Sequence, residues 1–288
     1  MPSGTSQVTP VGATSNSAQR FLQVPALTRL DPRPLAVAFL IDITGSYTPE
    51  LRLDAQRHVA GWVETIAANG RCDLTLFVSL LSSDSYPDEQ TVQVVDHAAC
   101  PPAPALPELE ATPTIAEAEN RLNPLEQERL AATATAAAGS AYAANATAQA
   151  GYAAEVATRE ATIDEARHGL GEELETLAAF DVETDWGPGT DVWGALARAA
   201  ERLSAQDGER LVIIASDLMM NERQGRYDGI DLGGSRVIVI NFACDDAANC
   251  EQLRVVWREE LTALGALEVR FFDPGETDTL TVEIFQGQ

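Results

Sequence analysis

The stretch LAVAFLIDITGS, residues 35–46, decides the fold. Seven consecutive apolar residues lead into Asp42, and two hydroxyl-bearing residues, Thr44 and Ser46, follow at alternate positions. An unbroken apolar run of this length is typical of a parallel strand that is covered on both faces. The stretch therefore predicts an α/β protein in which a buried strand delivers Asp42 to the edge of the sheet.

Buried strands and amphipathic helices alternate along most of the chain. Helices are predicted over residues 48–68, 192–205 and 248–264. Further strands are predicted in DLTLFVSLL (73–81), TVQVVDH (91–97), RLVIIASD (210–217), RVIVINFA (236–243), LEVRFF (267–272) and, at an edge, TLTVEIF (279–285). This alternation predicts a doubly wound, mostly parallel sheet of the Rossmann-like type.

A change of composition divides the chain. Alanine, the strongest helix former, dominates much of residues 101–180, after N-cap-and-proline pairs at 112–113 and 123–124. Either a helical hairpin that breaks at residues 139–140 or one long helix fits this segment. We expect a flexible leader at 1–30, an α/β domain at 31–100 and 181–288, and an Ala-rich helical or coiled-coil insertion at 101–180.

The charge distribution limits the partners. The formal net charge is −25 and the pI is about 4.3. Nucleic acids and anionic membranes need a basic face, so neither is expected as a partner, whereas cations and proteins with some basic surface are favoured. Residues 130–154 carry no charge, so this part of the insertion is expected to pack against another helix. That helix belongs either to the same chain or to a second subunit in a homo-oligomer.

The amino-terminal sequence and the cysteines bear on the compartment. Residues 1–19 have neither the positive segment nor the apolar core of a signal peptide, which favours a cytoplasmic location. Disulfides between Cys72 and Cys100 and between Cys244 and Cys250 would instead indicate a location outside the cytoplasm. No run in the sequence has the composition of a membrane span.

Five oxygen-bearing side chains are predicted to meet at one edge of the sheet. Asp42, Thr44 and Ser46 are spaced i, i+2, i+4, which turns their oxygens to the same side of an extended loop. Thr190 ends a Gly-Pro-Gly loop before a helix, and Asp217 ends a second buried strand. Ligands of open α/β sheets bind at the carboxyl ends of the strands, and oxygen ligands suit Mg²⁺. The sequence therefore predicts a magnesium site.

These loops resemble the metal-ion-dependent adhesion site of von Willebrand factor A (vWA) domains. The family pattern Asp-x-Ser-x-Ser is matched by Asp42, Thr44 and Ser46, its second-loop threonine by Thr190, and its third-loop aspartate by Asp217. Threonine stands for the usual first serine, and the third loop reads Ser-Asp-Leu rather than Thr-Asp-Gly. The resemblance covers residues 35–100 and 180–272.

The resemblance implies a function without catalysis. A bound Mg²⁺, Mn²⁺ or Ca²⁺ would accept a Glu or Asp carboxylate from a protein partner, and the helical insertion would serve assembly. In many bacterial relatives such a domain works beside an AAA-type ATPase or in a multi-protein complex, so both are expected kinds of partner. No catalytic residue is predicted.

Several other interpretations stay open. Asp42 can order a turn, Ser46 can cap the helix that follows it, and Asp191 is expected to cap its own helix. The protein can also be a structural oligomer with a vestigial metal loop, or a Mg²⁺-dependent phosphohydrolase with Asp42 as the nucleophile. The second acid and the lysine usual in such enzymes are missing, because Thr44 stands at the first position and the chain has no lysine. An apolar rim around the site is predicted from Tyr47, Trp186, Met219 and Met220.

Overall fold

The computed structural model describes residues 34–68, 74–97, 101–111, 123–187, 189–219, 227, 229–244 and 246–276. Six strands and four α-helices lie within them. In chain order they are β1 (Leu35–Asp42), α1 (Pro49–Ala68), β2 (Leu74–Leu81), β3 (Thr91–His97), α2 (Pro124–Ala179), α3 (Val192–Ser204), β4 (Glu209–Ala215), β5 (Ser235–Ile240), α4 (Ala247–Ala263) and β6 (Glu268–Phe271).

The strands form one mixed sheet in the order β3-β2-β1-β4-β5-β6. β3 is antiparallel to β2, and every other neighbouring pair is parallel. The short connection at residues 82–90 allows the antiparallel hairpin, whereas α1 lies between the parallel strands β1 and β2, and α4 lies between the parallel strands β5 and β6. The predicted α/β class is confirmed, and the six strands predicted within the described residues are all present.

β1 lies at the centre of the sheet, and all eight of its residues are buried. Its alternate side chains point to opposite faces. Leu35, Val37 and Phe39 belong to a hydrophobic cluster with residues of α1 and α2. Ala36, Ala38 and Leu40 pack with residues of α3 and α4. Helices therefore cover both faces, which explains why the strand has no polar alternation.

The Ala-rich segment contains one long helix rather than a hairpin. α2 has 56 residues, about 84 Å at the usual helical rise, and residues 139–140 lie inside it. Asn123 caps its start in a reciprocal capping box with Glu126, and Pro124 follows the cap. Of the two alternatives, the single helix is therefore correct.

The buried residues of α2 are concentrated near its carboxyl end. Leu170, Leu174 and Leu177 join the cluster that contains β1 and α1. Most of the preceding helix is exposed, apart from a narrow stripe that includes the buried Ala141 and Ile163. The end of α2 is therefore anchored to the face of the sheet while most of its length has little packing.

An extended segment at residues 101–111 lies against α2. Asn145 makes two hydrogen bonds to the backbone of Glu110, accepting from its N–H at 2.7 Å and donating to its carbonyl at 3.0 Å. Arg159 Nε donates to the Pro101 carbonyl at 2.8 Å. Pro101, Pro104 and Pro107 are the less exposed residues of this segment, and a period of three is that of a polyproline II helix. The proline-rich segment therefore covers one side of α2.

Some predictions fall outside the described residues. These are the leader, the 112–113 cap, the 279–285 strand, and the Cys72–Cys100 pair, so the compartment stays a prediction. Cys244 and Cys250 are joined by a disulfide, with Cα atoms 5.6 Å apart. No helix in the described part of the chain is both long and apolar enough to cross a membrane.

Candidate metal centre

The candidate metal centre lies where the central strands end. Asp42 is the last residue of β1, and Ser216 and Asp217 directly follow β4, its parallel neighbour. Thr190 lies two residues before α3, whose first residue is Val192. Because parallel strands end at the same edge, the fold brings these distant loops together.

Both carboxylate oxygens of Asp42 are hydrogen-bonded inside the protein. Oδ1 accepts from the Thr44 N–H at 2.9 Å and from Thr44 Oγ1 at 2.7 Å. Oδ2 accepts from Ser216 Oγ at 2.5 Å. The side chain has no exposed area. Burial raises the pKa of Asp42 above its ordinary value, while these hydrogen bonds and the charge of Arg52 oppose the rise.

The three predicted hydroxyl ligands gather beside this carboxylate. Thr44 Oγ1 lies 2.9 Å from Thr190 Oγ1 and 3.4 Å from Ser46 Oγ. Thr44 gives its only proton to Asp42, so the short contact between the threonines requires Thr190 to donate. The lone pairs of the Thr44 oxygen therefore point into the group of hydroxyls. Thr44 and Thr190 are buried, whereas Ser46 is exposed and opens the group to solvent.

The spacing of these oxygens fits a magnesium ion. Oxygens about 2.1 Å from an octahedral Mg²⁺ lie about 3.0 Å from their neighbours, close to the two separations observed here. Within the described ranges, no group of three or more His, Cys, Asp and Glu side chains is placed to hold a metal. An ion at this edge would therefore depend on neutral hydroxyl ligands as well as on Asp42 and Asp217.

Asp217 lies in the adjoining loop, directly after Ser216. It is buried, and its Oδ1 accepts from the Met219 N–H at 2.9 Å. Its neighbour Ser216 provides the hydrogen bond to Asp42. Leu218 has φ of 52°, in the left-handed region where glycine is favoured, and Trp257 Nε1 donates to its carbonyl. The unusual Ser-Asp-Leu sequence thus forms a tight turn held by contacts with α4.

Two loop residues that position the site were not predicted. Asp185 Oδ2 accepts from the Ser83 N–H and Oδ1 from the Gly187 N–H, both at 2.8 Å, and these bonds lower its pKa. The Asp185 N–H donates to the Ile43 carbonyl at 2.8 Å. Ser216 is the second, and its only sequence signal is a hydroxyl beside the third-loop acid.

Arg52 joins the same region from α1. It is buried and donates to Thr184 Oγ1 at 2.6 Å and to the Val182 carbonyl at 3.4 Å. The neighbouring Gln56 donates to the Phe180 carbonyl at 2.8 Å. These bonds attach the chain that leaves α2 to α1, and so fix the path that leads into the Asp185 loop.

The predicted apolar rim is only partly correct. Trp186 is 82% exposed and Met219 is 37% exposed, so both reach solvent beside the site. Tyr47 was predicted to border the site, but it is 1% exposed and belongs to the core, because its ring packs in the cluster between α1 and the sheet. Burial raises the pKa of its hydroxyl well above the usual value. Met220 lies outside the described residues.

Of the two predicted helix caps, Ser46 for α1 and Asp191 for α3, only the second is present. Ser46 does not cap α1: the helix begins at Pro49, and Thr48 is the residue that accepts from the first turn. Asp191 does cap α3, as predicted, because its Oδ1 accepts from the Gly194 N–H at 2.9 Å. Asp42 also orders a turn through the Thr44 N–H, in addition to its place among the hydroxyls.

Replacing Asp191 by alanine is expected to lower the free energy of unfolding by about 2 kcal/mol. The carboxylate is buried and also accepts from the Ser85 N–H and the Tyr227 hydroxyl, so three donors lose their partner. Urea denaturation measures the effect. The exposed cap of α4 is the matched control, and Asp246→Ala should cost about 1 kcal/mol. Equal losses in the two variants would show that Asp191 is only an ordinary cap.

Comparisons with known proteins add no assignment. No protein-family model matches the chain, and a search of curated proteins finds no significantly similar sequence.

Proposed function

We propose that the protein is a non-enzymatic, divalent-metal-dependent binding module of the vWA type. The ion is held by Asp42, Thr44, Ser46, Thr190 and Asp217, and a Glu or Asp carboxylate of a protein partner completes its coordination. The observation that carries this proposal is the group of three hydroxyls at separations of 2.9 and 3.4 Å beside the buried Asp42. The vWA-like order of the loops and the mostly parallel sheet support the same function.

The chemistry of the ligands explains why a carboxylate is the expected partner group. When bound there, Mg²⁺, or Mn²⁺ or Ca²⁺ in its place, supplies an electrophilic position for a partner's carboxylate oxygen. The hydroxyls of Thr44, Ser46 and Thr190 are neutral ligands, and the resemblance to vWA domains implies that Asp42 and Asp217 act largely through bound water, so few direct anions would offset the charge of the ion. Asp42 shares its charge with Thr44 and Ser216 through hydrogen bonds and holds the first loop in place.

The same geometry argues against a phosphohydrolase. A carboxylate nucleophile needs a free oxygen that reaches the substrate. Asp42 is fully buried, and each of its two oxygens already accepts a short hydrogen bond. Its environment therefore favours a structural and metal-binding role over attack on a phosphate.

Calorimetric titration with Mg²⁺ tests the proposed metal site. Thr190→Val removes one hydroxyl with little change of volume, and we expect Mg²⁺ affinity to fall at least tenfold without loss of the fold. Thr65→Val is the matched control, because Thr65 is an exposed threonine on α1 whose hydroxyl bonds its own helix. Equal Mg²⁺ affinity in wild type and Thr190→Val would contradict the proposal.

Proteins that co-purify in Mg²⁺ but not in EDTA identify the partner, with an AAA-type ATPase or a multi-protein complex as the expected classes.

The exposed part of α2 favours a second candidate function, in which the helix assembles the protein into a homo-oligomer. Residues 130–154 have no charge, and most of them are exposed. Thr133, Thr135 and Thr147 each donate their hydroxyl to the carbonyl four residues earlier, so they present mainly methyl groups to solvent. A Mg²⁺-independent oligomer in sedimentation analysis that is lost in Ala143→Glu would support this function, and a monomer in both would exclude it.

A further inference from the structure

We propose that Trp186 selects the partner, and that the partner segment carries an arginine or lysine next to the carboxylate that it presents. This inference rests on the proposed function and specifies the kind of partner. Three observations support it. The exposed indole of Trp186 contacts the first metal loop, the backbone on both sides of Trp186 is fixed by close contacts, and exposed acidic residues lie on the same segments.

The indole lies directly on the first metal loop. A Cβ added at Gly45 would come within 2.7 Å of Trp186 Cζ3 and 2.9 Å of its Cε3. Gly45 stands between Thr44 and Ser46, two of the proposed ligands. Trp186 nevertheless remains 82% exposed. One part of the ring is therefore in contact with the loop, and most of it is available to a molecule bound at the loop.

The loop that carries Trp186 is fixed on both sides of the indole. Asp185, the preceding residue, makes three hydrogen bonds, to Ser83, Gly187 and Ile43. Gly187, the following residue, lies so close to Ser83 that an added Cβ would be 2.6 Å from Ser83 Oγ. A large side chain held in one place loses little entropy when a partner binds, which is why tryptophan is frequent among residues that dominate binding energy.

The segments that lead to and contact the Trp186 loop carry several acidic residues. Asp84, Asp181 and Glu183 are exposed residues on the two segments that Ser83 and Asp185 join. The whole chain has a net charge of −25. A partner segment with several acidic residues would be repelled here, whereas a cation next to its single carboxylate would be attracted.

The indole and the acids together determine the side chain that fits. A guanidinium or ammonium group over an exposed indole gains a cation–π interaction, and nearby carboxylates strengthen it. Arginine also stacks its planar group on aromatic faces, so it is the better of the two cations. The partner's carboxylate would reach the hydroxyls of the metal loop, and the adjacent cation would lie on Trp186.

Synthetic peptides test this inference directly. Capped peptides with a single Glu preceded by Arg, Ala or Asp are immobilised, and capture of the full-length chain is measured by surface plasmon resonance in Mg²⁺ and in EDTA. In Mg²⁺ we expect affinity in the order Arg, Ala, Asp, with a two- to fivefold preference for Arg over Ala. Trp186→Ala should lose most of the preference for the Arg peptide and keep only the part that the acidic side chains supply, and Trp186→Phe should keep more of it.

Fluorescence gives a readout that does not depend on capture. Trp62, Trp193 and Trp257 are no more than 9% exposed, so quenching of tryptophan emission by acrylamide reports mainly on Trp186. The Arg peptide should protect this emission in Mg²⁺ more than the Ala peptide does. Circular dichroism should show that Trp186→Ala keeps the fold, because the side chain is mostly in solvent.

The outcomes separate the two proposals. Mg²⁺-dependent capture without a preference for Arg, or with the same preference in Trp186→Ala, would overturn this inference and leave the metal-dependent function standing. Equal capture in Mg²⁺ and EDTA by every peptide, with no binding of Mg²⁺ in calorimetry, would overturn both.

Discussion

Replacing Asp42 by asparagine is expected to abolish Mg²⁺ binding and, without metal at pH 7, to make the protein more stable than the wild type. Asparagine keeps the size of the side chain and a carbonyl that can accept from Thr44. It removes a charge from a site with no exposed area. A buried charge without a metal costs free energy, so the variant should have the higher unfolding free energy in the absence of metal. When Mg²⁺ is added, the wild type should become the more stable of the two.

The pH dependence of this effect has a defined sign. Burial raises the pKa of Asp42 above 3.8, so the folded protein holds this proton more tightly than the unfolded chain does. In EDTA, the contribution of Asp42 to stability is therefore present below the unfolded pKa and is lost as pH rises through the folded pKa. Mg²⁺ needs the ionised carboxylate, so its stabilising effect should grow as pH rises over the same range.

Urea denaturation in EDTA and in Mg²⁺, repeated across this pH range, measures both effects. At about one hundred times the dissociation constant, Mg²⁺ should raise the unfolding free energy of the wild type by about 2.7 kcal/mol and leave Asp42→Asn unchanged. Asp84→Asn is the control for charge alone, since Asp84 is exposed on a neighbouring loop. Mg²⁺ stabilisation of Asp42→Asn equal to that of the wild type would rule out the assignment of the metal centre.

The second large effect is expected on α2, where Leu177→Ala should lower the free energy of unfolding by about 3 kcal/mol. Leu177 has no exposed area and packs in the cluster that contains β1 and α1. Its truncation leaves a cavity against the face of the sheet. The predicted loss applies to the cooperative unfolding of the whole domain, not to the helix alone.

Leu125 provides the matched control on the same helix. It is 72% exposed, so Leu125→Ala should change the unfolding free energy by less than about 0.5 kcal/mol. Chemical denaturation followed by near-ultraviolet circular dichroism reports on packing of the domain. Equal results for the two variants would show that the carboxyl end of α2 does not pack on the sheet.

Local patterns were enough to predict the elements of the fold. β1 up to Asp42 and the last five residues of β4 are wholly apolar because they lie between two layers of helices, and this property is visible in sequence. The choice between a hairpin and one helix at residues 139–140 was not predictable. Glycine and serine are tolerated within a helix at a modest cost, so the local sequence does not decide between a break and a continuous helix.

Spacing was enough to predict the hydroxyls of the candidate site but not the residues that hold them. Thr44 and Thr190 are 146 positions apart, yet each follows a recognisable loop pattern. Ser216, Asp185 and Arg52 act through hydrogen bonds to residues far away in the chain, which no local pattern indicates. Tyr47 was misplaced for a related reason, since an aromatic residue next to a loop can turn either toward solvent or into the core.

Under the proposed function, the length of α2 gives the protein the added property of a spacer. Forty residues separate Leu130, near the free end, from Leu170, where the helix meets the sheet, a distance of roughly 60 Å along its axis. This is several Debye lengths in physiological salt, so charges at the two ends do not influence each other. Two molecules bound at opposite ends of α2 would therefore be held about 60 Å apart, too far for steric or electrostatic interference between them.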